Sequence, residues 1–363
     1  MKLQLDLSKK YAIALEGGGA KGAYEIGVWQ AFDEVGLQYE AVSGASVGAL
    51  NGALMAMRDL KKAVHLWENI TFSQVIDVDD EKMKAFFDKD MALGDIPAFL
   101  KDMAEVMKNK GFDSTPLQNL LEQTVDAEKI KQSDVDLYLV TYSLSDKKAL
   151  DLDAKTLEDK NLYDMLLASA YFPAFRKQPL GGKYYADGGI HNVIPVDSLL
   201  DRGYKDIIAI RIFGFGWERK VKIPDDVNIT VVAPIEKLAN MLQFDKEQSK
   251  KDMRLGYYDG LRVLYGLQGK RYYIDSQWNE AECYAALVTL VQRMEAKKGK
   301  EMSLKKINEQ RLPHLAKKKK AKQSYQELLW ALLEDMAQEA QICPYCVRTE
   351  KELLEQIGEK RNI

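Results

Sequence analysis

Two glycine turns lie close together near the amino terminus, each set between a short apolar run and a helical pattern, and no other feature limits the fold as sharply. Glu16-Gly17-Gly18-Gly19-Ala20-Lys21-Gly22 follows the all-apolar run Tyr11 to Leu15. A run that short and apolar, bounded by glycine, suits a parallel strand covered on both faces. Ile26, Trp29, Phe32 and Val35 then recur at helical spacing, and Gly36 supplies a stop. The order repeats at once: Tyr39 to Val42 leads into Gly44-Ala45-Ser46-Val47-Gly48, and Val47, Leu50, Leu54 and Met57 mark the buried stripe of a second helix. Further short apolar segments at 135–142, 206–213 and 228–233, with helical patterns between several of them, extend the alternation. The chain is therefore expected to be α/β, a three-layer fold with a mostly parallel central sheet and helices on both faces.

The turns also carry chemistry. In a nucleophile elbow, glycines flank the serine because a side chain there would strike the neighbouring strand or helix, and Gly44 and Gly48 stand at those positions. Ser46 then opens a helix, where the positive end of the macrodipole favours a developing alkoxide. Gly17-x-Gly19-x-x-Gly22 also fits a dinucleotide fingerprint, but that fingerprint wants a carboxylate closing the second strand. Ser43-Gly44-Ala45-Ser46 stands there instead, and Glu40 precedes the strand residues. No Gly-Lys-Ser/Thr closes the loop as a Walker A motif requires. Binding an oxyanion is the better use of these amides.

A serine nucleophile needs a base. The chain has three histidines, of which His65 falls in the pattern of a helix around residues 60 to 67 and His314 sits beside a lysine tract. Only His191 neighbours a further glycine turn, Asp187-Gly188-Gly189, so a histidine triad is poorly supplied.

Taken in order, Gly17 to Gly22, Gly44 to Gly48 and Asp187-Gly188-Gly189 resemble the three signature blocks of the patatin-like phospholipases. Ala168-Ser169-Ala170-Tyr171-Phe172-Pro173-Ala174-Phe175, Asn192 and Pro195 are similar to the family's segments around the aspartate turn. One departure is Val193, where many members carry a second asparagine. The resemblance covers residues 8 to 265 and implies a Ser-Asp dyad, with Ser46 as nucleophile, Asp187 as base, and the amides of Gly17, Gly18 and Gly19 as oxyanion donors. Lys21, Gly22, Gly44, Gly48, Gly188 and Gly189 would support the turns, Lys21 either adding positive potential or standing in solvent. It further implies phospholipase A or lysophospholipase activity through an acyl-enzyme, on a lipid or other acyl ester, with no metal or organic cofactor. Two alternatives stay open: a thioesterase or acyltransferase using the same dyad, and a non-catalytic lipid or nucleotide binder that keeps the glycine loops.

The rest of the chain sets boundaries. Residues 1–265 read as the acyl hydrolase domain, and 266–363, where long charged helical patterns take over, as a helical extension. Ser324-x-x-Glu327 and Thr349-x-x-Glu352 are capping boxes opening its last two helices, the first striped by Leu328, Leu329, Leu332, Leu333 and Met336. Residues 59–134 hold helical segments, and the stripe Ile96, Phe99, Leu100, Met103 and Met107 reads either as the core face of a packed helix or as a lid that meets lipid. Residues 297–322 hold eleven Lys or Arg against two Glu, a tract that is ordinarily a solvated face and otherwise a peripheral contact with anionic lipid.

A formal net charge of −3 gives no drive toward nucleic acid. No apolar stretch approaches the ~20 residues of a membrane span, and the first residues lack the apolar core of a signal peptide. The expectation is a cytoplasmic protein, unless another secretion route carries it. Three cysteines do not make a disulfide framework. Cys343-Pro344-Tyr345-Cys346 lacks the βαβ scaffold a redox site would need after it, and Cys283 is the one remaining thiol for a metal.

Overall fold

A computed structural model describes residues 1–88, 108, 111–321 and 324–361. Two compact units divide the chain: Asp6–Gly260, and a second made of Met1–Leu5 with Leu261–Ile363. The stripe from Ile96 to Met107 lies outside the described residues.

In the larger unit, β1 (Lys10–Leu15) runs through the first glycine turn into α1 (Ala23–Glu34), and β2 (Gln38–Ala45) runs through the second into α2 (Val47–Ala56). After α3 (Leu60–Asn69) come β3 (Asp136–Ser143), β4 (Lys148–Asp153), β5 (Tyr185–Asp187), β6 (Asp206–Ile210) and β7 (Asn228–Val232). The sheet order is β4-β3-β2-β1-β6-β7, with β5 also pairing β3. Every pair from β3 to β7 along that order is parallel, and both β4 and β5 join β3 antiparallel.

The two faces of the sheet differ in side-chain size. Ala12, Ala14, Ala41, Tyr138, Ile207 and Ala209 share one core cluster with Val193, Ile194 and Leu199, so the helix Val196–Leu200 covers that face. On the other face Leu15, Val42 and Leu137 meet Gly52 of α2; a Cβ added there would lie 3.0 Å from the Leu137 side chain. Small residues let α2 lie flat on bulky strand residues, which is why the apolar stripe read from the sequence does not face the sheet. Leu50 is half-buried and, with Val47 and Leu54, looks into a pocket instead. A helix apolar all round carries no periodic signal for which side meets which neighbour.

The second unit buries its own core, in which Leu287 and Val291 of helix Glu280–Ala296 pack with Leu329 and Leu333 of helix Tyr325–Glu339. Ser324 caps the latter helix by accepting from the Glu327 amide at 3.0 Å, and Thr349 accepts from the Glu352 amide at 3.2 Å. Cys283 is buried, Cys343 and Cys346 are exposed, and all three are free thiols. Among the described residues no helix is long and apolar enough to cross a membrane.

Candidate active site

Ser46 and Asp187 are 141 positions apart in the chain and meet because both elements that carry them lie against one strand. On one side of β3, β4 pairs with residues 138–143. On its other side β2 pairs as far as Ala45 opposite Val140, and β5 takes over with Asp187 opposite Thr141. Strands β2 and β5 therefore end nose to nose along the same edge, and the residue after Ala45 faces the last residue of β5. Ser46 Oγ donates to Asp187 Oδ2 at 2.5 Å.

The serine sits in a strained backbone conformation, φ 54° and ψ −129°, one residue before α2. Such a conformation costs a non-glycine residue about 1–3 kcal/mol and persists only where surrounding contacts enforce it. Here the enforcement is close packing: a Cβ at Gly44 would lie 2.3 Å from the Gly48 carbonyl, and one at Gly48 would lie 2.6 Å from the Leu15 carbonyl oxygen. Strand, turn and helix can close only with glycine at both places. The Ser46 amide donates to Ser169 Oγ at 3.0 Å, and that hydroxyl donates to the Val140 carbonyl at 2.7 Å. Ser169, fully buried, thus ties the elbow to the strand that also carries β5. Sequence reasoning passed over it, although it lies in the segment before the aspartate turn. Ser169→Ala would leave a buried N–H without a partner, a loss of about 1–3 kcal/mol; the expected result is a lower melting temperature together with a several-fold lower turnover.

Asp187 is buried, and burial pushes its carboxyl up to about 6 against the opposing pull of the Ser46 hydroxyl and the Gly189 amide. Gly189 N–H donates to its Oδ1 at 2.7 Å, which fixes the plane of the carboxylate and leaves Oδ2 for the serine. Gly188 passes so near β3 that a Cβ would come within 2.1 Å of the Val140 oxygen.

The first glycine turn packs beside Ser46; a Cβ at Gly17 would stand 3.0 Å from Ser46 Cβ. One expectation needs correction here. The Gly17 amide is not free to bind an oxyanion, because it donates to the Val193 carbonyl at 2.8 Å. The Ala20 amide is likewise taken by the Met241 carbonyl and the Lys21 amide by Gly18. Among the described residues the amides of Gly18 and Gly19 have no acceptor. The pattern of glycines could not separate these three N–H groups, since the partner that occupies the first comes from position 193.

Two charged residues brace this turn. Glu16, buried, accepts from the amides of Ile212 at 2.7 Å and Phe213 at 3.0 Å. Lys21 Nζ donates to the Phe213 carbonyl, so its charge is committed to that loop, and burial holds its pKa below the usual lysine range. The Gly22 carbonyl accepts from Asn51 Nδ2 at 3.0 Å. At Val193 the backbone does the work: its carbonyl holds Gly17 and its amide donates to Trp217 at 2.7 Å. None of the three histidines bonds to Ser46 or Asp187; His65 and His314 are exposed, and His191 packs its ring 6.5 Å from that of Tyr142.

Two pockets open at Ser46. One, about 850 Å³ including its mouth, is walled by apolar side chains such as Leu50, Leu54, Trp67, Leu121 and Phe175. The other, about 890 Å³, holds Gly17, Gly18, Ser46 and Asp187 and is rimmed by Phe215 and Trp217. Among the described residues no group of three or more His, Cys, Asp or Glu side chains is placed to hold a metal ion.

Comparison with known proteins places the chain among relatives. The chain is 26% identical over 208 residues to patatin-like phospholipase domain-containing protein 7 of Mus musculus, which covers 55% of this chain and 13% of that protein. It is 42% identical over 48 residues to lysophospholipase nte1 of Aspergillus terreus, 13% of this chain and 3% of that one. The chain thus spans a small part of the curated relatives it matches. Among solved structures, VipD from Legionella pneumophila aligns with 97% of this chain and 88% of its own at 15% identity and a TM-score of 0.44. The family model for patatin-like phospholipases matches residues 13–200, just over half of the chain and the span that holds both glycine turns, the elbow serine and its aspartate. The chain belongs to the patatin-like phospholipase family.

Proposed function

We propose that this protein is a serine acyl hydrolase of lipid esters, of the phospholipase A or lysophospholipase type, in which Ser46 and Asp187 form the catalytic dyad. The observation that carries this reading is the 2.5 Å hydrogen bond from Ser46 Oγ, on a strained elbow, to a buried carboxylate. As Ser46 Oγ attacks the ester carbonyl, its proton passes to Asp187 Oδ2 and the carbonyl electron pair moves onto oxygen. That oxyanion is held by the Gly18 and Gly19 amides and by the N-terminus of α2. Collapse expels the alcohol, which leaves with the proton from Asp187. Water then repeats the sequence on the acyl-enzyme, with Asp187 again as base, and releases the fatty acid.

The role of burial is now evident. An ordinary carboxylate is a poor base toward an alcohol, and raising its pKa to about 6 strengthens it while leaving it mostly ionised at neutral pH. The apolar pocket takes the acyl chain, because its walls offer hydrocarbon and almost no partner for a charged group. The substrate is a lipid ester met at a membrane surface, in a protein of the cytoplasm with residues 1–265 as its hydrolase domain.

The sign of the pH dependence follows. The base works ionised, so kcat/KM on an uncharged ester should fall about tenfold per unit below pH ~6 and be level above it. A limb near the ordinary carboxylate value would remove the effect of burial on the base, and a limb that survives Asp187→Asn would remove Asp187 as the base. A fluorophosphonate probe tests the whole reading, since it should label the protein at Ser46 and be indifferent to added nucleotide.

A further inference from the structure

The loop that follows β6 places three large aromatic side chains in solvent beside the dyad. Phe213, Phe215 and Trp217 are 56%, 82% and 75% exposed within five residues. Exposed aromatics on a floppy loop would mean little. Here the backbone is pinned from the first glycine turn and from the segment of the aspartate turn. Glu16 and Lys21 hold Phe213 by its amide and carbonyl. The Trp217 amide donates to Gly189 at 2.9 Å, and its carbonyl accepts from Val193 at 2.7 Å. Phe213 itself is held at φ 48°, a conformation a bulky residue adopts only under constraint. A rigid base with apolar tips in water gives up burial that the fold could otherwise have used, which is the mark of a surface meant to be covered.

What covers it is constrained by position and charge. Phe215 and Trp217 rim the same pocket that holds Ser46 and Asp187. A protein partner seated on them would close the mouth of that pocket, whereas a lipid surface would feed it. Downstream, Glu218 pairs with Arg211 and Arg219 with Asp197. Lys220 and Lys222, both exposed, enter no ion pair among the described residues. Aromatic tips followed by uncommitted lysines match an interface of acyl chains beneath anionic headgroups.

We propose that residues 213–222 form an interfacial docking loop, in which Phe213, Phe215 and Trp217 insert among the acyl chains of a phospholipid surface and Lys220 and Lys222 meet its phosphates. This rests on the lipid-hydrolase reading of the adjacent site, and it assigns the lipid contact to a segment other than the lysine tract at 297–322.

The test measures binding apart from turnover, so that failure of the chemistry and failure of the loop are distinguishable. Full-length Ser46→Ala protein is mixed with vesicles of equal parts phosphatidylcholine and phosphatidylglycerol, and partition is read by sedimentation. Phe215→Ser with Trp217→Ser should lower the partition coefficient by about tenfold or more, from the apolar area two aromatics no longer bury. Lys220→Gln with Lys222→Gln should lower it roughly fivefold per lysine and flatten its salt dependence. Brominated acyl chains should quench a component of the tryptophan fluorescence that Trp217→Phe removes. Circular dichroism melting checks that the variants keep the fold. Absence of vesicle binding by the parent, unchanged partition in the Phe215/Trp217 variant, or quenching that survives Trp217→Phe would each overturn the proposal. Loss of fluorophosphonate labelling in the wild type, with vesicle binding intact, would instead sink the hydrolase reading and leave the loop.

Discussion

Ser46→Ala is expected to abolish covalent labelling by a fluorophosphonate and to lower ester turnover by at least about 10³-fold. Ser169, which adjoins Ser46, is buried and donates to the Val140 carbonyl while accepting from the Ser46 amide, so its proton is committed. Alanine at position 46 keeps the strained φ of 54° without a functional return, so the variant should fold without any gain from relaxation of the elbow. The measurement is release of fatty acids from a mixed lipid extract, wild type against variant, with the labelled band as a second readout. Turnover within tenfold of wild type would end the assignment of Ser46.

Asp187→Asn is expected to cost about 10³–10⁴ in kcat and at the same time to stabilise the protein at neutral pH. The amide is isosteric and can still accept from Gly189, so the turn survives. It cannot take the serine proton. The stability half follows from linkage. A carboxyl whose folded pKa is raised from 3.8 to about 6 is held back from ionising, so the folded state binds the extra proton between those values. Stability therefore falls as pH rises from about 4 to 6, and the ionised group then costs on the order of 3 kcal/mol. Asparagine has no such cost. Glu25 and Asp252 are also pushed up by burial, but they are common to both proteins and cancel in the difference. The melting temperature of the variant should exceed that of wild type at pH 7, with the gap closing toward pH 4. A variant that is both active and no more stable would deny Asp187 its role as a buried base. Should His191→Ala, rather than Asp187→Asn, silence the protein, a triad would replace the dyad.

The aim of the elbow was legible because its requirement is local. Glycine two residues either side of a serine, after an apolar run and before a helical stripe, encodes the turn within ten residues. That β1, β2 and β6 run parallel was likewise readable from apolar runs separated by helices, although their order in the sheet was not. Strands β4 and β5 were not read. The first is half-buried at the sheet edge and the second is three residues long, too short for alternation to register. The Glu16 carboxylate gave no signal either, since its partners at 212 and 213 are named only by the fold.

By itself, then, the sequence determined the two glycine turns, the serine between the second pair, and the capped helices of the carboxyl-terminal unit, because each is fixed by contacts between near neighbours. Tertiary structure alone decided three other matters. It brought β2 and β5 to one edge of β3, so that Asp187 meets Ser46. It spent the Gly17 amide on Val193, and it left Phe215 and Trp217 in water. Each depends on which distant segment occupies the adjoining space, and a linear pattern of residue types does not carry that distance.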